Sequence, residues 1–362
     1  MPVEYKFLKP EQREFFLKHG WLKIPNAINK KYIDAWMKDI WIRLDYKEDD
    51  PSTWKEEYVK LPRHREVLAS EFAPDAWAAA CDLCGGEDRL DEVRERYNGD
   101  HFILNFGSDY WKTHDCTPQE TPGWHTDNDW YRQFLDSAGT ALTMIHCFTD
   151  IEPRGGGTLL CEDGLTDVCK YLYDHPEGLE VPFRGHVENI ANCEEFFTVT
   201  AKAGDTFLTH SLLPHTASRN HLRNLRVITN PHASLKEPFN FNRADPSDYS
   251  LVEQAILDRL GKPNGLPEWH ITAPRRFFYP RNYTFKVARV QEELERMIAH
   301  AKSQGLGPES VDSIYLRGDD AIKEHQRRNG FNLPHGPNKF PDGVKTYLHD
   351  FDKNPQRAAD DV

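Results

Sequence analysis

No stretch of the chain approaches the roughly 20 consecutive apolar residues that a membrane-spanning helix needs, and the opening MPVEYKFLKPEQREFF lacks the apolar run of a secretory leader. A cytoplasmic protein that does not enter a membrane is therefore expected. Basic charge is in the minority. Lys and Arg number 45 against 58 Asp and Glu, a formal net charge of −13, which disfavours nucleic acid, because a phosphate backbone is bound by clustered Lys and Arg. A pocket for a small anion is not excluded by net charge. Cysteine is sparse and odd in number, with seven residues scattered from Cys81 to Cys193, so no disulfide framework is expected. Cys81-x-x-Cys84 lacks the second half of a zinc site and reads as packing. Internal repeats and low-complexity tracts are also absent.

Aromatic residues are plentiful. They make up 12% of the chain, nine Trp and twenty Phe among them, and would be hard to place without a packed interior. Over 362 residues a large core is within reach without covalent staples. From Pro10 to Arg43 the apolar residues recur at largely helical spacing, predicting two amphipathic helices joined by the strand-like GWLKIP. Residues 44–100 are mixed and helical in flavour, with AWAAAC and DRLDEVRERY the clearest helical pieces. From His101 short runs rich in β-branched and aromatic residues take over: HFILNF, ALTMIHCFTDI, GTLLC, EFFTVTA, DTFLTH and LRVITN. Many short strands in succession imply an antiparallel sandwich or barrel. Helical character returns in DYSLVEQAILDRLG and FKVARVQEELERMIAHAKSQG. The layout is a mainly β core with flanking helices: a single domain over 1–362, with an N-terminal helical scaffold over 1–100, a core over 101–232 and a C-terminal helical extension over 233–362.

His125-Thr126-Asp127 follows a turn at Pro122-Gly123. Residues two apart in an extended segment project from one face, so this imidazole and carboxylate can reach a single ion. Alone the triplet is weak, since 17 His and many Asp produce such patterns by chance. Further along, DTFLTH leads through a proline to His215, and LRVIT carries Arg226. Two histidines and one carboxylate on one face of an octahedral metal leave places open for a bidentate co-substrate and dioxygen, which suits Fe(II). An arginine inside a β-branched run that points into a barrel needs an anion, and its planar fork matches a carboxylate. His210 is an alternative to His215, and Asp129 to Asp127, although Asp127 is the i+2 partner of His125. His101, His114 and His146 read as ordinary satisfied residues. Gly155 to Gly157 has no Gly-Lys-Ser/Thr after it and reads as a tight turn, not a phosphate loop. Trp124 and Trp130 flank the triplet and are candidates for a substrate pocket, though core packing alone would account for both.

These residues resemble the phytanoyl-CoA dioxygenase family of iron(II)/2-oxoglutarate oxygenases. The likeness is carried by H-T-D at His125 to Asp127, by G-G-G-T-L-L at Gly155 to Leu160, and by the stretch from His210 through Pro214-His215 and Asn220 to Arg226, within residues 10 to 232. It implies a double-stranded β-helix (jelly roll, cupin-like) core, with His125, Asp127 and His215 holding Fe(II). It also implies 2-oxoglutarate as co-substrate, its distal carboxylate on Arg226 and Thr158 a further contact, and O2 as oxidant. The implied reaction is hydroxylation or desaturation of a C–H bond in a small molecule, a secondary metabolite being the expected class, with release of succinate and CO2. Two departures bear on the co-substrate and substrate. Leu160 to Gly164 replace the family's usual Gly-Ser-His type of sequence, and Ala217 stands where a serine is common, with Ser218 one place on. The residues alone also fit a cupin-like Zn or Mn hydrolase or isomerase, and a non-catalytic binding subunit. The tail after residue 232 is a candidate for a lid or a homodimer contact.

Overall fold

The computed structural model describes residues 3–128, 130–179, 190–275 and 281–329, with the main chain alone over 281–288. Helix α1 (Pro10–His19) starts with a proline where its missing N–H costs nothing, and it ends at Gly20, whose φ of 75° lets its N–H reach the Phe16 carbonyl. Strand β1 (Trp21–Ile24), α2 (Lys30–Met37) and α3 (Ile40–Leu44) follow, with the Asn29 side chain capping α2. The next stretch is less helical than its composition suggests. It supplies β2 (Tyr58–Lys60), β3 (Glu66–Leu68) and β4 (Tyr97–Gly99), along with α4 (Ala69–Phe72) and α5 (Pro74–Cys84). AWAAAC lies in α5, but DRLDEVRERY does not form the expected helix. There the Asp91 carboxylate accepts from the Val93 and Arg94 N–H groups, a local turn that competes with helix, and Glu95 takes a left-handed φ of 58°.

The six strand-like runs contain β5 (Ile103–Asn105), β6 (Leu142–Cys147), β7 (Thr158–Cys161), β8 (Phe196–Thr198), β9 (Thr206–His210) and β11 (Arg226–Thr229). Between and after them come α6 (Gly164–Asp174), which periodicity did not reveal, and the short β10 (His215–Ala217) and β12 (His232–Ala233). Helices α7 (Leu251–Arg259) and α8 (Arg281–Ser303) fall on the two C-terminal helical runs, and α9 (Asp319–Arg328) follows.

The larger sheet is antiparallel, in the order β1-β9-β6-β11-β5-β2, with β12 also paired to β6. A second sheet has the order β10-β7-β8. His125 joins the free edge of β10 by exchanging two main-chain hydrogen bonds with His215, at 3.1 and 3.0 Å. Every residue of β6, β9 and β11 is buried, so both faces of the larger sheet are covered. On one face His146 of β6 meets the Phe72 ring, itself stacked on Trp36, so α2 and α4 cover that side. Opposed residues of an antiparallel pair share a face, as do residues two apart along a strand. Thr143 therefore looks to the other side, toward the second sheet, together with its partners Thr209 and His232. Ile228 opposes Cys147, so Arg226 looks the same way, as do its partner Asn105 and, opposite that, Tyr58. The space between the sheets is thus lined by a His-Thr-Thr row at one end and an Arg-Asn-Tyr row at the other.

Candidate metal centre

The edge pairing of His125 with His215 is what assembles the site. It sets the two imidazoles side by side, with ring centroids 4.4 Å apart, and Asp127, at a bend two residues on, brings its carboxylate to both. Ligand-type atoms of His125, Asp127 and His215 all lie within 4.8 Å of one another. His125 Nε2 is 3.6 Å from Asp127 Oδ1, and His215 Nε2 is 3.5 Å from Asp127 Oδ2.

The outer nitrogens are spoken for. His125 Nδ1 lies 2.7 Å from the Gly123 carbonyl and His215 Nδ1 lies 3.1 Å from that of Leu213. A carbonyl only accepts, so each Nδ1 carries a proton and donates, leaving each Nε2 as the nitrogen able to bind a cation. Burial, together with the neighbouring His215 charge, lowers His125. For His215 burial works in the same direction, but the Asp127 carboxylate outweighs it and the group is raised. Burial alone would raise Asp127, yet the His215 charge and the close approach of His125, His215 and His232 hold it well below the ordinary carboxylate range. The Thr143 hydroxyl donates to Asp127 Oδ2 at 2.9 Å. Two neutral-capable imidazoles and one carboxylate converging from a rigid sheet edge fit a divalent transition metal.

Arg226 occupies the other end of the intersheet space. It is 2% exposed; its Nε donates to the Gly156 carbonyl at 2.8 Å and its Nη1 to that of Ile103 at 3.2 Å. Among the described residues it forms no ion pair, and burial pushes it down to about 10. The Gly155 to Gly157 turn has a use that sequence did not disclose. Gly156, at φ 77°, brings its carbonyl against Arg226, and a Cβ there would sit 2.4 Å from Asn105 Nδ2. Thr158 is buried in β7, opposite Ala217 of β10, and the Ser218 hydroxyl is buried with no hydrogen-bond partner among the described residues.

The remaining candidates separate cleanly. His210 is not at the site: its Nε2 meets the Val252 carbonyl at 3.1 Å, its Nδ1 accepts from Leu212 N–H at 3.1 Å, and burial lowers it to about 4. His146 lies between Asn98 and Thr206, with burial lowering it to about 3, and His114 stacks on Tyr110. The Arg63 guanidinium donates to His101 at 3.3 Å. Asp129 lies outside the described residues. Trp124 packs its ring near Phe196 and donates to the Pro118 carbonyl, whereas Trp130 stands edge-on to Tyr131 with the Arg94 guanidinium 4.0 Å over its ring.

Sequence reading missed His232. Its Nε2 is 3.4 Å from Asp127 Oδ2 and its Nδ1 is 3.8 Å from Glu95 Oε1. Burial would lower it, but the two carboxylates raise it to about 10. Its strand parity with Arg226 and Ile228 was the available signal. A second group, Cys161, Asp163 and Cys193, also gathers ligand-type atoms within 4.8 Å. There the Cys161 thiol donates to Asp163 Oδ1 at 3.2 Å, and burial raises both thiols, Cys193 to about 11, so these are protonated, hydrogen-bonded side chains. Cys81 and Cys84 are likewise raised by burial, Cys81 to about 12.

No family model and no curated protein matches the chain. Among solved structures, similarity is found to the non-heme alpha ketoglutarate dependent carbocyclase SnoK from nogalamycin biosynthesis, at 14% identity and a TM-score of 0.36, covering 74% of this chain and 97% of that one. A second is the epimerase SnoN in complex with Fe3+, alpha ketoglutarate and nogalamycin RO, at 15% identity and 0.38, covering 74% and 93%. A third is HygX from Streptomyces hygroscopicus with nickel, 2-oxoglutarate and hygromycin B bound, at 12% identity and 0.34, covering 65% and 90%. At such scores these likenesses bear on neither activity nor substrate, and side-chain geometry alone carries the functional reading.

Proposed function

We propose that the protein is an Fe(II)- and 2-oxoglutarate-dependent oxygenase acting on a C–H bond of a small molecule. The observation that carries this is the pairing of two features on one intersheet space: the His125, Asp127 and His215 cluster at one end, and at the other a buried guanidinium with no carboxylate partner among the described residues. A hydrolase or isomerase metal site needs the first but has no use for the second. A bidentate 2-oxo acid with a second carboxylate at its far end uses both.

The strand order supports a double-stranded β-helix. Taking β5, the His125 segment, β6, β7, β8, β9, β10 and β11 as eight successive strands, the chain crosses between the sheets at every step except from β7 to β8. The larger holds the first, eighth, third and sixth, and the smaller the second, seventh, fourth and fifth. That topology and the motifs at His125 to Asp127 and Gly155 to Arg226 favour kinship with the phytanoyl-CoA dioxygenase family.

His125, Asp127 and His215 would hold the metal through Nε2, a carboxylate oxygen and Nε2. Iron, when bound, would supply activation of O2 coupled to decarboxylation of 2-oxoglutarate to succinate and CO2. Arg226 orients the co-substrate by its far carboxylate, with Thr158 beside it. The Gly123 and Leu213 carbonyls keep the two imidazoles in the ligating tautomer. A −13 chain offers little to a coenzyme A thioester, so a free small molecule, such as a secondary metabolite, is the favoured substrate.

Anaerobic titration of the metal-free protein with Fe(II) and 2-oxoglutarate tests the reading. The expected result is a weak visible charge-transfer band that disappears in His215→Ala. Iron binding without the band on adding 2-oxoglutarate would sink the oxygenase reading and favour a metal hydrolase.

A further inference from the structure

The geometry points to His232, anchored by Glu95, as a positioning residue that fixes which Asp127 oxygen faces the ion. The inference rests on His125, Asp127 and His215 being the ligands, and goes beyond it by giving a task to two residues outside that set.

Asp127 has two oxygens with different surroundings. Oδ2 accepts from the Thr143 hydroxyl at 2.9 Å and has His232 Nε2 at 3.4 Å and His215 Nε2 at 3.5 Å, while Oδ1 has His125 Nε2 alone, at 3.6 Å. Thr143 and His232 are cross-strand partners in the β6–β12 pair, so the sheet register brings both to the same oxygen. His232 is itself held twice by Glu95. The His232 main-chain N–H donates to Glu95 Oε2 at 3.3 Å, and Glu95 Oε1 stands 3.8 Å from Nδ1. Neither ring nitrogen makes a hydrogen bond among the described residues, and the two carboxylates, at 3.4 and 3.8 Å, are the charged groups that face them.

His232 does not belong to the group of ligand atoms that lie mutually within 4.8 Å. It therefore stands outside the three-residue cluster while touching the carboxylate of one member, and does not add a fourth protein ligand. With Oδ2 already accepting from Thr143 and paired with His232, Oδ1 is the less engaged oxygen, and the carboxylate would bind the ion through it. Released from His232, it is free to turn and present both oxygens, closing a coordination place that a chelating co-substrate and dioxygen require. Partners of this kind usually change metal affinity by about 10- to 100-fold when removed.

The test uses the full chain, stripped of metal and titrated with Co(II), whose visible bands report coordination number and carboxylate binding mode, and with Fe(II) by competition. His232→Leu and His232→Gln have similar length, and only the Gln keeps an N–H donor. Glu95→Gln leaves His232 in place and weakens its anchor. We expect His232→Leu to lose about 10- to 100-fold in Fe(II) affinity with altered Co(II) bands. His232→Gln should recover most of both, and Glu95→Gln should shift the bands in the same direction by less. Should His232→Leu not fold, the Glu95→Gln spectrum decides. Wild-type bands and affinity in His232→Leu, or in Glu95→Gln where it must decide, overturn the inference while leaving the metal reading intact. Equal loss in His232→Leu and His232→Gln also overturns it, by making His232 a ligand. Wild-type protein that binds no Co(II) overturns the metal reading and this inference with it.

Discussion

Arg226 shows what a single buried residue can disclose. A guanidinium 2% exposed, satisfied only by carbonyls, pays the desolvation cost of its charge, and an anion entering beside it would offset that cost. On the proposed function, replacing it by methionine would remove a bidentate, charge-assisted contact, for which a rise of roughly 30- to 150-fold in the 2-oxoglutarate KM is expected, corresponding to about 2–3 kcal/mol. Lysine keeps the charge but loses the fork, so Arg226→Lys should fall between wild type and Arg226→Met. Initial-rate measurement of succinate formation against 2-oxoglutarate concentration checks both. Unchanged KM in Arg226→Met would mean that the anion does not sit there. His210 teaches the converse at the same scale. It is as buried as His215, but its two nitrogens are consumed by main-chain partners, and nothing in its local sequence says so.

Among the elements, the Gly155 to Gly157 turn and β7 behind it connect the two sheets chemically. The middle glycine lets a carbonyl reach Arg226, and the last lets β7 lie against the neighbouring strand: a Cβ on Gly157 would come within 2.0 Å of the Val199 carbonyl. That contact is backbone and cannot swing aside. Gly157→Ala is therefore expected to destabilise the protein by roughly 2–4 kcal/mol, through loss of the β7–β8 pairing, seen as a lower urea midpoint at unchanged slope. Stability within about 0.5 kcal/mol of wild type would show that the second sheet tolerates the displacement. The helices were largely legible because their apolar spacing is regular. The failure at DRLDEVRERY has a local cause, since an Asx turn at Asp91 offers those N–H groups a carboxylate in place of helix carbonyls.

For the whole molecule, the C-terminal helices are joined to the core by buried charge. Arg43 of α3, fully buried, donates to Glu293 of α8 at 2.7 Å and to Asp100, just ahead of β5, at 3.0 Å. Glu66 of β3, 4% exposed in its side chain, accepts from His325 at 2.9 Å and from Arg328 at 3.1 Å, both on α9. Burial would raise the Glu66 carboxyl, but the hydrogen bond from His325, the charge of Arg63 and the hydrogen bond from Arg328 bring it down to about 2 from an ordinary 4.5. A carboxyl depressed on folding contributes stability that is fully present above its unfolded value and lost as pH falls through its folded one. The α9 clasp should hold above about pH 4.5 and loosen progressively toward pH 2, with on the order of 3 kcal/mol at stake. Glu66→Gln should remove that pH dependence. Amide exchange in α9 across pH 2 to 5 distinguishes the two, and a wild-type profile as flat as the variant's would refute the assignment.

Local pattern determined a good deal of this protein. The six strand-like runs and the two C-terminal helical runs follow from residue type and period, and His125, Asp127, His215 and Arg226 could be nominated because short-range spacing decides which side chains share a face. What only the tertiary structure decided are relations between segments far apart in the chain. The edge pairing of His125 with His215 excludes His210, the cross-strand register brings Thr143 and His232 to one oxygen of Asp127, and the fold leaves Arg226 buried without a carboxylate beside it. Such relations depend on sheet register and on what fills the space opposite, and neither is written in any one segment.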